Sequence, residues 1–428
     1  MTSNEDRVDR RTVLRAGAVS GVAALAGCAS GSSGSGTTAG TTANSQAGSS
    51  EPILIGATLP LTGAFSSMGE HIRAGYEIGI EYINDNGGIG GRPVELIIKD
   101  DESEAKKTRS GLNQIVSNND VAMLWGSFSS LLVTAGSAFA ESQKIPFVGT
   151  TFGYQKPHQE KNYEWTFAPF PKSRDQARAT KSWFDALEGG PKRIAIWEVN
   201  SGWGAELANH WEQAFEGTEY EVVLRQKYQI GTKDFTTLIS QTQNANADAL
   251  LSNPVPPDGI TAAKQMKQQG YAPKLVDFIR ATDPQAWTSA LGTTGDYFAS
   301  TGVGWLAGLD TTGTDALIER YHGREGVSAD AVPVNAVGAA FTVAQVAASA
   351  LRAAGSLQHS AIRDALLNQQ FDTVMGTFGF NDNGMPKKGE MVPAVRQWKD
   401  GKQMLVHPDP DGDYAMDPVY PMPDFGER

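Results

Sequence analysis

One cysteine, Cys28, is present among 428 residues, so the chain has no intramolecular disulfide available to it. Histidine is nearly as scarce: His71, His158, His210, His322, His359 and His407 stand far apart, without the spacing that metal ligands need. No Gly-Lys-Ser/Thr phosphate loop occurs, and the glycines at 87–91 do not make a dinucleotide fingerprint. Lysine and arginine number 36 against 48 acids and form no stripe, which argues against a nucleic-acid surface. Neither a nucleophile with its base nor paired carboxylates stand out, so nothing here argues for an enzyme, a cofactor or a metal.

Long apolar runs are also few. Ala16–Ala26 follows Asp9-Arg10-Arg11-Thr12-Val13-Leu14-Arg15, and eleven residues are too short to cross a bilayer of ~30 Å as a helix. The pattern is that of an export signal, and the paired arginines fit the twin-arginine route. Leu25-Ala26-Gly27-Cys28 resembles a lipobox, with cleavage after Gly27 and a lipid on Cys28. Loss of residues 1–27 removes three acids and four arginines, so the mature charge becomes about −13. From Ala29 to Ser50 the chain is almost entirely Gly, Ser, Thr and Ala, which bury too little apolar area to fold, and it reads as a tether. The second run, Pro333–Ala354, is long enough to raise a membrane helix. Asn335, Thr342 and Gln345 interrupt it, and its many Ala and Gly residues favour a buried helix packed closely on its neighbours.

With 40% hydrophobic residues, the remainder suits two α/β lobes with sizeable cores. Organisation starts at residues 53–102. Ile53, Leu54, Ile55, Ala57 and Leu59 read as a buried parallel strand, and Leu61–Gly69 as a loop. Ile72, Tyr76, Gly79, Ile80 and Ile83 then give one face of a helix, stopped at Asn86-Gly87-Gly88. Val94, Leu96 and Ile98 alternate as a second strand, which a right-handed crossover sets parallel to the first. Ligands in such units sit at the carboxyl ends of strands, which makes Leu61–Gly69 a candidate binding loop. The acids Asp100-Asp101-Glu102-Ser103-Glu104 lack the glycine and ligand spacing of a calcium loop and read as a solvated helix start.

Ile55-Gly56, Leu61-Thr62-Gly63, Gly69, Gly75, Ile83-Asn84 and Gly87-Gly88-Ile89-Gly90-Gly91-Arg92-Pro93 together resemble the amino terminus of the leucine/isoleucine/valine-binding proteins. These are extracytoplasmic solute receptors of ABC transporters with the type I periplasmic-binding fold. Matches continue in order over roughly residues 52–400. The resemblance implies two Rossmann-like lobes joined by three hinge crossovers, at Trp165–Pro171, Phe298–Leu306 and Phe371–Gly376, with a hairpin at Phe380–Gly384. Lobe one is then expected over 52–171 and 305–371, lobe two over 172–304 and 372–408, with a polar tail over 409–428.

The site follows from the same comparison. Ser127-Phe128-Ser129-Ser130 opens a helix whose unpaired N–H groups suit a carboxylate, and Ser129 and Ser130 fall where the family's binding serines lie. Thr150 and Thr151 precede Phe152 and Gly153, and Gly153 replaces a threonine that commonly touches the ligand. Trp203, between Gly202 and Gly204, takes the place of an aromatic that packs on the ligand from lobe two. Val255 lies in the proline-rich binding-side loop Asn253–Asp258, and Phe65, Met68 and Phe152 offer apolar surface to the ligand. Where amino-acid binders carry a glutamate for the ligand ammonium, this chain has Ile279 followed by Arg280, and the nearest acids to replace it are Asp283 and Asp258. Arg280 would pair bidentately with a carboxylate if it faces the cleft.

The implied function is solute binding: an amino acid or related carboxylate, delivered to an ABC permease and its ATPase by a protein held at the membrane through lipid. Two other readings stay open. One is a binder of an aliphatic or aromatic acid, an amide or urea. The other is a sensing domain that passes its signal to a membrane partner, since no membrane helix follows Arg428.

Overall fold

The computed structural model describes residues 51–283, 285–391 and 393–428. The expected export signal, the lipidation position Cys28 and the tether fall outside these residues.

Two sheets organise the chain. The first contains β1 (Ile53–Leu59), β2 (Val94–Asp100), β3 (Val121–Trp125), β4 (Phe147–Val148) and β5 (Thr166–Phe167), in the order β2-β1-β3-β4-β5. All its pairings are parallel, and Ile53 to Leu59 match Val94 to Asp100 one for one. Because side chains alternate along a strand, Ile53, Ile55, Ala57 and Leu59 enter one core while Leu54 leans on the other.

The second sheet contains β6 (Arg193–Val199), β7 (Glu221–Tyr228), β8 (Ala249–Ser252), β9 (Leu275–Phe278) and β10 (Ala299–Val303). Ile194 and Ile196 of β6 face one core, whereas Ala195, Trp197 and Val199 face the other, as expected for a strand covered on both sides. A short antiparallel hairpin, β11 (Gln370–Thr373) with β12 (Gly376–Gly379), stands apart. The second sheet is completed by β13 (Ala394–Lys399) and β14 (Lys402–His407), giving the order β14-β13-β10-β9-β8-β6-β7. Both added strands pair antiparallel, so lobe two is mixed where a purely parallel sheet was expected.

The apolar run near 333–354 forms the helix Asn335–Ala354, which has the length and composition of a membrane span yet is a core helix of lobe one. It packs on the helix Ser66–Asp85 so closely that a Cβ on Gly75 would lie 2.3 Å from the Val337 carbonyl oxygen. A Cβ on Gly79 would lie 2.3 Å from that of Ala344. Glycine at both positions is therefore a packing requirement.

The chain leaves the first lobe's core after Phe170 and returns to it between Val303 and Trp305. The third passage differs. Phe371, Val374, Met375, Phe378, Phe380 and Met391 all belong to the first lobe's core, and the chain reaches the second sheet only at Ala394. The hairpin is drawn back by its aromatic face, where the Phe380 and Phe167 ring centroids lie 5.3 Å apart, edge to face. The segment beyond Pro408 is also no loose tail. Val419 N–H donates to Gln397 Oε1 (2.8 Å), Met422 N–H donates to the Lys274 carbonyl (2.8 Å), and the Met422 side chain is buried in lobe two.

Candidate functional site

The strand order reverses at β1 and β3 in the first sheet and at β6 and β8 in the second, and the carboxyl ends of both sets meet at one cleft. Its inner part is a narrow cavity of about 30 Å³. Phe128, Ser129, Ser130, Thr151 and Phe170 line it from lobe one; Trp203, Ile279, Arg280 and Asp283 line it from lobe two. An outer chamber of about 650 Å³ opens to solvent and shares Ser129, Ser130, Trp203 and Arg280 with the inner one, so the two spaces are continuous.

The lobe-one wall is held in an unusual backbone form. The helix Ser129–Gln143 starts at Ser129, whose φ is +71°, and Thr151 is held at φ +50°. Two non-glycine residues in the left-handed region at one cleft are strained positions that surrounding structure must enforce. Neither the Oγ of Ser129 nor the Oγ1 of Thr151 has a protein partner, although both atoms are buried. Gln176 Oε1 and Trp203 Nε1 are in the same condition on the facing wall. Buried polar atoms are almost always paired, so four unpaired ones lining a single cavity form a site that accepts and donates hydrogen bonds.

The neighbouring serine has another task. Ser127 donates to Asp101 Oδ2 at 2.5 Å and is not part of the wall, and the helix opens two residues later than expected. Asp101 is fully buried, and its desolvation pushes the carboxyl up to about 6 despite the Ser127 bond. The acidic run does open the helix Ala105–Asn118 with Glu102 and Glu104 exposed, but Asp101 is not solvated. Asp100 accepts from the N–H groups of Leu61 (3.0 Å) and Thr62 (3.2 Å), while Ser103 Oγ donates to the Thr62 carbonyl (2.7 Å) and accepts from Phe65 N–H (3.1 Å). These acids and their serine clamp the Leu61–Phe65 loop, which brings Phe65 to the outer chamber, edge on to Phe128 at 5.5 Å.

Trp203 sits in the first turn of the helix Gly202–Phe215, whose N-cap Ser201 accepts from Gly204 N–H at 2.9 Å. The departure at Gly153 explains its position: a Cβ there would come within 3.2 Å of Trp203 Nε1 and 3.3 Å of Gln176 Oε1. The missing side chain gives the indole its room. Over the indole ring lies Arg280, its guanidinium carbon 5.4 Å from the ring centroid. Arg280 donates through Nε to the Pro254 carbonyl (3.3 Å) and through Nη2 to the Asn253 carbonyl (3.0 Å). Burial lowers its pKa to about 10, with Tyr228 and Asp258 opposing that shift. Among the described residues no carboxylate lies within ion-pair distance of it.

Asp283 is different. Its Oδ1 is 2.9 Å from Nη1 of the fully buried Arg396, and its Oδ2 accepts from Asn335 Nδ2 at 3.4 Å. Asp258 accepts twice from Gly231 N–H, at 2.9 and 3.2 Å, and faces the outer chamber beside Val255. Of the other expected contacts, Met68 is fully buried in the first lobe's core and Phe152 in a second core, so neither lines the cleft. Met68 shares the inward stripe of Ile72 and Tyr76, and Phe152 packs beneath Lys172, whose Nζ donates to the Phe152 carbonyl at 2.6 Å. Thr150 is also buried behind the wall. Gln176, Asn335, Leu131 and Ile230 were not anticipated; only Asn335 left a trace in the sequence, as a polar interruption of an apolar run. No cluster of three His, Cys, Asp or Glu suited to a metal occurs among the described residues.

Residues 52–402 match the family model described as periplasmic binding protein. A Leu/Ile/Val-binding protein homolog 7 from Brucella abortus is 25% identical over 382 residues, covering 85% of this chain and 93% of its own. Among solved structures, the branched-chain amino acid transporter substrate binding protein LivJ from Streptococcus pneumoniae, in complex with isoleucine, superposes with a TM-score of 0.72 at 17% identity, covering 84% of this chain and all of its own. A solute binding protein of an R. palustris ABC transporter, in complex with benzoate, gives 0.71 at 18% identity, covering 83% and 95%.

Proposed function

The chain belongs to the periplasmic binding protein family, and we propose that it is the extracytoplasmic solute-binding lipoprotein of an ABC importer. In this reading it holds a small amino acid or related carboxylate in the interlobe cleft and delivers it to a membrane permease and its ATPase. The observation that carries the reading is the set of unpaired polar atoms on Ser129, Thr151, Gln176 and Trp203, facing one cavity beside Arg280. A carboxylate there meets the amino end of the helix Ser129–Gln143, two hydroxyls and a guanidinium, all of which favour negative charge. Relatives with isoleucine or benzoate in place support a carboxylate as the shared chemistry.

Export by the twin-arginine route and a lipid on Cys28 complete the proposal, with the Gly/Ser-rich segment giving the lobes reach toward the permease. Three crossings of the hinge allow the lobes to close on the solute. A thermal-shift panel of amino acids, aliphatic and aromatic acids, amides and urea tests the binding role. A ligand at 100 times its dissociation constant adds about 2.7 kcal/mol and raises the melting point by several degrees. No shift from any carboxylate, with or without an amino group, would sink it. The address is tested by Cys28→Ala, which releases the protein to the medium; retention in salt-washed membranes contradicts lipidation.

A further inference from the structure

Resting on that reading, we infer that the solute is a carboxylate with an extended apolar body and no ammonium group. Its head sits by Ser129 and Arg280, and its body runs outward between Leu131 and Ile230.

The charge argument comes first. An α-amino acid brings a cation that must meet an anion when buried, because an unpaired charge in a desolvated site is costly. The inner cavity offers one carboxylate, Asp283, and both its oxygens are engaged, one by the fully buried Arg396 and one by Asn335. Drawing Asp283 toward an ammonium would strip Arg396 of its counterion. Asp258 lies on the outer chamber, held by Gly231 N–H. Arg280, by contrast, is a cation whose bonded partners are two backbone carbonyls, and the Trp203 face beside it adds no compensating charge. The cleft is therefore short of a negative group and supplied with a positive one, the arrangement that suits an anionic head alone.

The shape argument is independent. Leu131 is 61% exposed and Ile230 51%, and these are the two most exposed large apolar side chains among the described residues. They come from different lobes, and both line the outer chamber with Phe65, Val255 and Pro257. Apolar groups left in water on both lips of one chamber mark a surface that is covered in use. The chamber is continuous with the carboxylate end through Trp203 and Arg280, so the occupant that covers it is the rest of the same molecule. The outer chamber alone, at about 650 Å³, lies well above the lower end of the ~300–1,000 Å³ range for small-ligand pockets, which leaves room for an apolar body longer than a branched-chain side chain.

Calorimetric titration of the purified full-length protein decides it. The probes are butanoate and octanoate, then two matched pairs, 4-methylpentanoate with L-leucine and 3-phenylpropanoate with L-phenylalanine. Octanoate should bind about tenfold or more tighter than butanoate, since each further buried methylene contributes up to ~0.8 kcal/mol. Each acid should bind about tenfold or more tighter than its amino acid, because the ammonium meets only neutral acceptors such as Gln176 Oε1 and no free carboxylate. The double variant Leu131→Ser/Ile230→Ser should lower the octanoate-to-butanoate affinity ratio about fivefold. Tighter binding of leucine or phenylalanine than of its matched acid overturns the inference while leaving solute binding intact, and so does an unchanged ratio in the double variant. Binding by none of the six probes overturns the carboxylate reading as well.

Discussion

Asp283 and Arg396, 113 residues apart in the chain, form a buried ion pair with Oδ1 and Nη1 2.9 Å apart at the lobe-two edge of the cleft. The pair ties the loop after β9 to the added strand β13, so the wall that carries Arg280 is fixed by a residue from the far end of the chain. Asp283→Asn leaves the Arg396 guanidinium buried without its counterion, and loss of one partner of such a pair costs about 3–5 kcal/mol. A urea melt of the variant should show that loss; a stability within error of the parent would mean that the pair contributes nothing.

Gly153 gives a second, sharper prediction. Gly153→Thr places a Cβ in tight contact with the indole of Trp203 and the amide of Gln176, at 3.2 and 3.3 Å, and the rest of the threonine adds to the crowding. One overpacked position costs about 1–3 kcal/mol where it is rigid, and less here, because the flexible ends of two side chains can move. The melting point should therefore change little while affinity for the solute falls, and calorimetry with melting curves separates the two. Unchanged affinity would remove Trp203 from the site.

Stability should also depend on pH through Lys172. This ammonium is fully buried at the first hinge crossing, and burial lowers its pKa from 10.5 to about 7, opposed by Asp175 and Glu206. Between pH 7 and 10.5 the unfolded chain holds a proton that the native lysine has released, so stability rises with pH across that window. Below pH 7 both states are protonated and the burial cost is fully felt. Denaturant midpoints of the parent should rise from pH 7 to 10 relative to those of Lys172→Met; parallel curves would contradict the assignment.

Much of this architecture was legible in the sequence. The first strand, helix and strand follow from periods of two and near four that are unbroken by competing signals, and the helix Asn335–Ala354 from its small residues. Met68 shows a signal misread: at four-residue spacing from Ile72 and Tyr76 it belongs to the buried stripe, not to the neighbouring loop. The third hinge crossing could not be placed locally, because Phe371, Phe378 and Phe380 announce a buried hairpin without saying which core receives it. The role of Asp101 was hidden for a similar reason. A run of acids reads as solvated unless one knows that Ser127, 26 residues on, folds over one of them. Resemblance to the family, together with the chemistry of a helix start and a guanidinium, gave Ser129, Ser130, Thr151, Trp203 and Arg280 as candidates, and the structure brings those five together at one cavity. The engagement of Asp283 and the exposure of Leu131 and Ile230 depend on distant contacts, or on their lack, and no local pattern carries them.

The anionic head proposed for the cleft sits at Arg280. Calorimetric titration of the parent and of Arg280→Gln with the tightest-binding carboxylate tests this most directly. A hydrogen bond to a charged group contributes about 1.5–3 kcal/mol, so the variant should lose about ten- to a hundredfold in affinity. Its ligand-free melting point should stay level or rise, because a desolvated cation has been removed. Equal affinity for the carboxylate in parent and variant would place the head elsewhere and contradict the account.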